Sequence, residues 1–129
     1  MGAVRIGLSK VALVYAMDEK QCRRVAEALA PAAVKLVPQE CWSMPVAAVL
    51  QGQKPVLSGE IRPLPEPMLV LHGFSGAELD RVLDALRKGG ISIPLKAVTT
   101  PTNMAWNAYT IFENLSKERK ALKKGKSAH

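Results

Sequence analysis

A chain of 129 residues that is 48% hydrophobic and 22% charged has the balance of a soluble globular protein and the size of one domain. It contains no run of about 18 apolar residues, which excludes a membrane-spanning helix. The net charge of +7 is concentrated rather than spread: Lys117, Arg119, Lys120, Lys123, Lys124 and Lys126 against Glu118 supply most of it, so the body is nearly neutral and nucleic-acid binding is disfavoured.

Arg5 and Lys10 precede a short apolar run, but Asp18 and Glu19 follow it with no small-residue cleavage site. Val11–Tyr15 therefore reads as a buried strand and not as a signal peptide. Ile6 stands where a myristoylation site needs Ser or Thr. Cys22 and Cys41 form no Cys-x-x-Cys pair and imply no disulfide framework, so the cytoplasm is the expected compartment.

After this first strand, Asp18 offers an N-cap oxygen with Gln21 three positions on, a variant of the capping box. Cys22, Val25, Ala26 and Leu29 then fall on one helical face, and Pro31 ends the helix. Residues 34–37 form a second short strand closed by Pro38. Residues 45–50 suit a short helix capped by Ser43 and stopped by Gly52. Residues 52–66 carry Gly52, Pro55, Gly59, Pro63 and Pro65 and read as a connection, with Ile61 and Leu64 as weak anchors.

The pattern then recurs. Met68–His72 is a strand, Ser75-x-x-Glu78 is a full capping box, and Leu79, Val82, Leu83 and Leu86 repeat the apolar face of the first helix. Equivalent positions lie 57 apart, as Tyr15 and His72 do. Gly89-Gly90 ends the helix, and residues 91–98 are extended, with Pro94 favouring an edge strand. Thr102 or Asn103 caps a long final helix to about Leu122, burying Trp106, Tyr109, Phe112 and Leu115.

The chain is thus expected to be a small single-domain α/β protein: a three-layer open sheet of two βαβα repeats, with parallel strands in the order 2-1-3-4. Its parts are a repeat over 10–51, the connection 52–66, a repeat over 67–122 and a basic tail 123–129. A ferredoxin-like α+β sandwich is the alternative.

In a parallel open sheet, a ligand sits where strand order reverses, beyond the carboxyl ends of the strands. The expected crevice lies between the loop after Tyr15 and the loop after His72. Its candidate lining is Tyr15, Asp18, His72, Gly73, Ser75 and Gly76, flanked by Thr99, Thr100, Thr102 and Asn103. Glycines let a ligand approach the backbone, amides at a helix start favour an anion, and the threonines and Asn103 add recognition without a strong base.

The same residues also serve as turn and capping groups. Met-Leu-Val-Leu-His72-Gly73 resembles an oxyanion loop, but the chain has no Gly-x-Ser-x-Gly elbow and only His129 as a second histidine, which argues against a hydrolase. No catalytic set and no metal-ligand spacing is found, and no cofactor is specified. Trp42 and Trp106 are expected in the core.

The string 67–76, then Leu79-Asp80, Ala85-Leu86-Arg87, and Ile93-Pro-Leu-Lys-Ala-Val-Thr-Thr-Pro-Thr-Asn103 with Trp106, resembles the uncharacterised bacterial family catalogued as domain of unknown function 3783. The resemblance covers residues 67–115 and is strongest in Lys96-Ala-Val-Thr-Thr-Pro-Thr-Asn103. Tyr15, Pro38, Trp42, Pro45 and Gly52 resemble the family's N-terminal extension more loosely. Met104 stands where a polar residue is the family's pattern. The resemblance implies a small bacterial protein with no assigned activity, and it carries over no catalytic residue. The expected function is a non-catalytic module binding a small-molecule or anionic ligand, or a protein. The alternatives are a homo-oligomeric interaction protein, pairing as a homodimer through the edge strand at 91–98 and the aromatic final helix, and a weak nucleic-acid binder using the tail.

Overall fold

The computed structural model describes residues 10–54 and 62–127, the last six for backbone only. In chain order they form β1 (Val11–Tyr15), α1 (Glu19–Leu29), β2 (Ala33–Leu36), a 3-10 turn at Gln39–Cys41, α2 (Val46–Leu50), β3 (Met68–His72), α3 (Gly76–Lys88), β4 (Leu95–Val98), a second 3-10 turn at Asn103–Ala105, and α4 (Ala108–Ser127). The four strands make one sheet in the order β2-β1-β3-β4, the expected sequence of neighbours.

Strand direction corrects the expectation. β1 pairs parallel with β2 and β3 pairs parallel with β4, but β1 and β3 run antiparallel, with Val11 opposite His72, Leu13 opposite Val70 and Tyr15 opposite Met68. The repeat explains this. Leu13 and Val70 are equivalent positions, and they face each other. Two like units meeting through the same edge close on a two-fold, and a two-fold normal to a sheet reverses the strand. Because that operation preserves the face, the two crossover helices fall on the same side.

The packing shows the result. Ala12, Val14, Leu69 and Leu71 meet Val25 and Leu29 of α1 and Val82 and Leu86 of α3. Leu13, Tyr15, Met68 and Val70 meet α2 and α4 through Val46, Val49, Ala108, Tyr109 and Ile111. With helices on both faces, the architecture is the three-layer open sheet and not a ferredoxin-like sandwich, which covers one face. The centre of the sheet is wholly removed from water, from Ala12 through Tyr15 and from Met68 through Val70. At about 25 cal/mol per Å2, each large side chain there contributes roughly 1.5–3 kcal/mol.

Local signals behave as their chemistry requires. Asp18 and Ser75 each accept the N3 amide of their helix, and Gln21 and Glu78 reach back to the cap, completing both capping boxes. Leu83 departs from its expected burial and is 39% exposed on the outer flank of α3. The second strand begins at Ala33, one residue earlier than expected, and the ladder of β4 starts only at Leu95.

Ser43 does not cap α2. Its N-cap is Pro45, without a side-chain bond. Neither Thr102 nor Asn103 caps the final helix. Asn107 does, accepting the Thr110 amide at 3.0 Å. Asn103 is instead drawn into the preceding turn, so Trp106 lies before α4 and its most buried residues are Ala108, Tyr109 and Ile111. α4 continues to Ser127, into the stretch read as a tail.

Of the connection, residues 55–61 lie outside the described residues, Ile61 among them. Its end is anchored. Leu64 is buried, the Tyr109 hydroxyl donates to the Arg62 carbonyl at 3.0 Å and accepts its amide at 3.1 Å, and Arg119 forms a bidentate pair with Glu66. Trp42 is a core residue whose indole donates to the Val37 carbonyl at 3.0 Å, and Trp106 packs against the same cluster. Among the described residues, no helix is long and apolar enough to cross a membrane.

Candidate functional site

The antiparallel centre divides the expected crevice. Tyr15 ends β1 beside the first residue of β3, whereas His72 ends β3 beside the first residue of β1. The loops after these two strands therefore leave opposite ends of the sheet. Tyr15 and Asp18 do not join the other candidates: Asp18 is spent capping α1 and Tyr15 is fully buried. The parallel-sheet rule that placed them together does not apply across an antiparallel pair.

The remaining candidates do gather, because β3 and β4 are parallel and their carboxyl ends adjoin. His72 Nδ1 lies 2.8 Å from Thr99 Oγ1, and the Thr99 amide donates to the Leu71 carbonyl at 3.0 Å. Thr100 and Asn103 form a reciprocal pair. The Thr100 amide donates to Asn103 Oδ1 at 2.8 Å, and the Asn103 amide donates to Thr100 Oγ1 at 3.0 Å. Asn103 Nδ2 also donates to the Val98 carbonyl at 3.0 Å. The polar atoms of this turn thus hold its own backbone, and Thr102 is exposed without a capping bond.

The loop after β3 is set by Gly73, whose φ of 84° suits a residue without a side chain. Ser75 Oγ then accepts the Glu78 amide, and Glu78 Oε1 accepts the Ser75 amide at 2.8 Å. Gly76 opens α3. Glu78 Oε2 pairs with Lys10, which the antiparallel register brings to this end. A carboxylate already stands at this helix start, and it weakens the case for a bound anion.

His72 is oriented by a hydroxyl, and the carboxylate of Glu78 is engaged by Lys10 and the cap rather than by His72. Among the described residues, no group of three or more His, Cys, Asp and Glu side chains could hold a metal ion. Burial pushes the Cys22 and Cys41 thiols up from their ordinary values, with the Glu40 charge adding at Cys41 and Lys35 opposing it.

Sequence reasoning missed a groove at this same end. Leu29 and Pro31 at the end of α1, Phe74 in the loop after β3 and Val82 on α3 wall a space of about 730 Å3, with Lys10, Glu78 and Arg81 as its polar lining. The signal that could have found the groove was the shorter link after the first helix, three residues between Leu29 and Ala33. No curated protein and no solved structure matches the chain. Residues 67–122, which supply His72, Thr99 and one wall of the groove, match the family described as Domain of unknown function (DUF3783), as the resemblance over 67–115 implied.

Proposed function

We propose that this is a non-catalytic binding module, a small single-domain cytoplasmic protein of bacterial origin, and that it engages a protein partner at the end of the sheet where β3 and β4 finish. The observation that carries the reading is the apolar groove walled by Leu29, Pro31, Phe74 and Val82, which opens at the same end of the sheet as the His72–Thr99 pair. Its volume falls in the range of recognition sites, and its few polar groups lie where they would orient a guest. The free thiols of Cys22 and Cys41 support a reducing compartment.

The test is capture from a bacterial extract on the immobilised full chain. The partner is retained by the wild type and by Lys20→Ala at the opposite end, is lost with Phe74→Ser and is depleted with Arg81→Ala. Equal recovery by all four proteins refutes the assignment.

A homodimer through β4 is the second reading. It is favoured because β4 is an edge strand and because Val98 on it, with Leu83 on α3, are the exposed large hydrophobic residues among those described. A monomeric mass at high micromolar concentration refutes it. A nucleic-acid role is the weakest reading, since Arg119 in the basic stretch is committed to Glu66.

A further inference from the structure

The internal two-fold gives the groove a counterpart. Moving 57 positions along the chain takes Lys10 to Pro67, Met17 to Phe74, Gln21 to Glu78, Arg24 to Arg81 and Val25 to Val82. Met17, Gln21, Arg24, Val25 and Pro67 line a second space at the other end of the sheet, and that space is only about 70 Å3. The two spaces are the same site written twice.

One is filled by the chain itself. Between Leu86 and Leu95 the second repeat has eight residues, where the first has three between Leu29 and Ala33. The added stretch holds Ile91, Ser92 and Ile93, which complete the lining of the smaller space. Ile93 is 3% exposed, and Ile91 packs against the same apolar layer. Arg24 fastens this plug by donating from Nη2 to the Gly89 carbonyl at 2.9 Å. In the first repeat the short link supplies no such plug. Arg81, the counterpart of Arg24, makes no hydrogen bond or ion pair among the described residues.

We infer that the larger groove takes an extended peptide segment of a partner protein carrying two branched aliphatic side chains two positions apart, with a main-chain carbonyl on Arg81. This rests on the binding-module reading and specifies its guest. The self-bound segment of the second repeat is the physical template: the walls match, so a segment like Gly89-Gly-Ile-Ser-Ile-Pro94 has the shape the first repeat lacks. Alternation matters because an extended chain points every second side chain to one side. In the second repeat Ile91 and Ile93 pack on the apolar layer, and Ser92 between them is exposed.

The probe is a capped peptide copying residues 89–94, titrated into the isotope-labelled full chain and followed by amide and methyl NMR. The expected result is saturable shifts confined to the groove lining, Val11, Leu29, Phe74, Arg81 and Val82 among it, with a Kd of order 1 mM for so short a ligand. Replacing both isoleucines of the peptide by serine abolishes them. Arg81→Ala, a change at an exposed position, weakens binding about fivefold, in the range for an ordinary hydrogen bond at a wet surface.

Three results overturn the inference: no shifts at about 5 mM peptide, equal shifts with the serine peptide, or binding that emerges only after removal of residues 1–9. Concentration-dependent shifts at the same residues without peptide would mean a second copy is the guest, and they overturn it as well. If the extract partner is lost with Phe74→Ser while the peptide fails to bind, this specification falls and the binding module stands.

Discussion

Replacing Tyr15 by phenylalanine should stabilise the protein. Tyr15 is 0% exposed in the layer formed with Val37, Trp42, Met44 and Val46, and its hydroxyl has no hydrogen-bond partner among the described residues. A buried hydroxyl without a partner costs about 1–3 kcal/mol relative to water, while the ring keeps its packing when the oxygen is removed. Taking about 1 kcal/mol, and an unfolding entropy of about 2.1 cal/mol/K per residue, Tm rises by roughly 4 °C.

The pH dependence gives an independent reading. Burial, with the Cys41 thiol adding, pushes the Tyr15 phenol well above its ordinary value. The folded state therefore holds the proton where the unfolded chain, titrating near pH 10, releases it. This contribution is fully present below about pH 10 and is lost as pH rises further toward the folded value. Tyr15→Phe lacks this loss, so its advantage over the wild type widens by about 1.4 kcal/mol at about pH 11. Urea unfolding of both proteins at about pH 7 and about pH 11 measures both effects, and taking the difference cancels the shared lysines and Tyr109. A phenylalanine variant less stable by about 1 kcal/mol, with an advantage flat in pH, would show that the hydroxyl is hydrogen-bonded, and would refute the reasoning.

The other predictions concern the backbone, a cap and the thiols. Ala16 has φ 61°, and its equivalent 57 positions on is Gly73 with φ 84°. A left-handed alanine costs roughly 1–2 kcal/mol, partly offset by the greater freedom of glycine in the unfolded chain, so Ala16→Gly should raise stability by about 0.5–1 kcal/mol in urea titration. Gly73→Ala should lower it by about 1–2 kcal/mol, and effects of the same sign at the two positions would contradict the internal symmetry. Asn107→Ala removes the cap of α4 and should cost about 1 kcal/mol, with Asn107→Ser recovering most of it. The raised thiols of Cys22 and Cys41 should alkylate more slowly than free cysteine at about pH 8 under iodoacetamide, and an equal rate at either would refute its burial.

Local chemistry was legible along the chain. The apolar runs at Val11–Tyr15 and Met68–His72 became strands with those bounds, and the Asp18 and Ser75 capping boxes formed because their partners lie within one turn. The order β2-β1-β3-β4 followed from crossover rules. Of the site, the meeting of His72 with Thr99 was foreseeable, since both end strands of one parallel pair. The cap of α4 was not. Asn103 and Asn107 offer the same side chain, and the turn closed by Thr100 claimed the first of them.

The sequence by itself determined which segments are strands and helices, and that one unit occurs twice. Only the tertiary structure decided that the two units meet antiparallel, like edge to like edge, across β1 and β3. No residue in either strand encodes that direction, which depends on two like edges closing on a two-fold. It carried Tyr15 and Asp18 away from His72, brought Lys10 to Glu78, and turned a difference in link length into one filled groove and one larger one. Strand and helix signals act over a few residues of contiguous chain. The groove is made by Leu29, Phe74 and Val82, which only folding brings together.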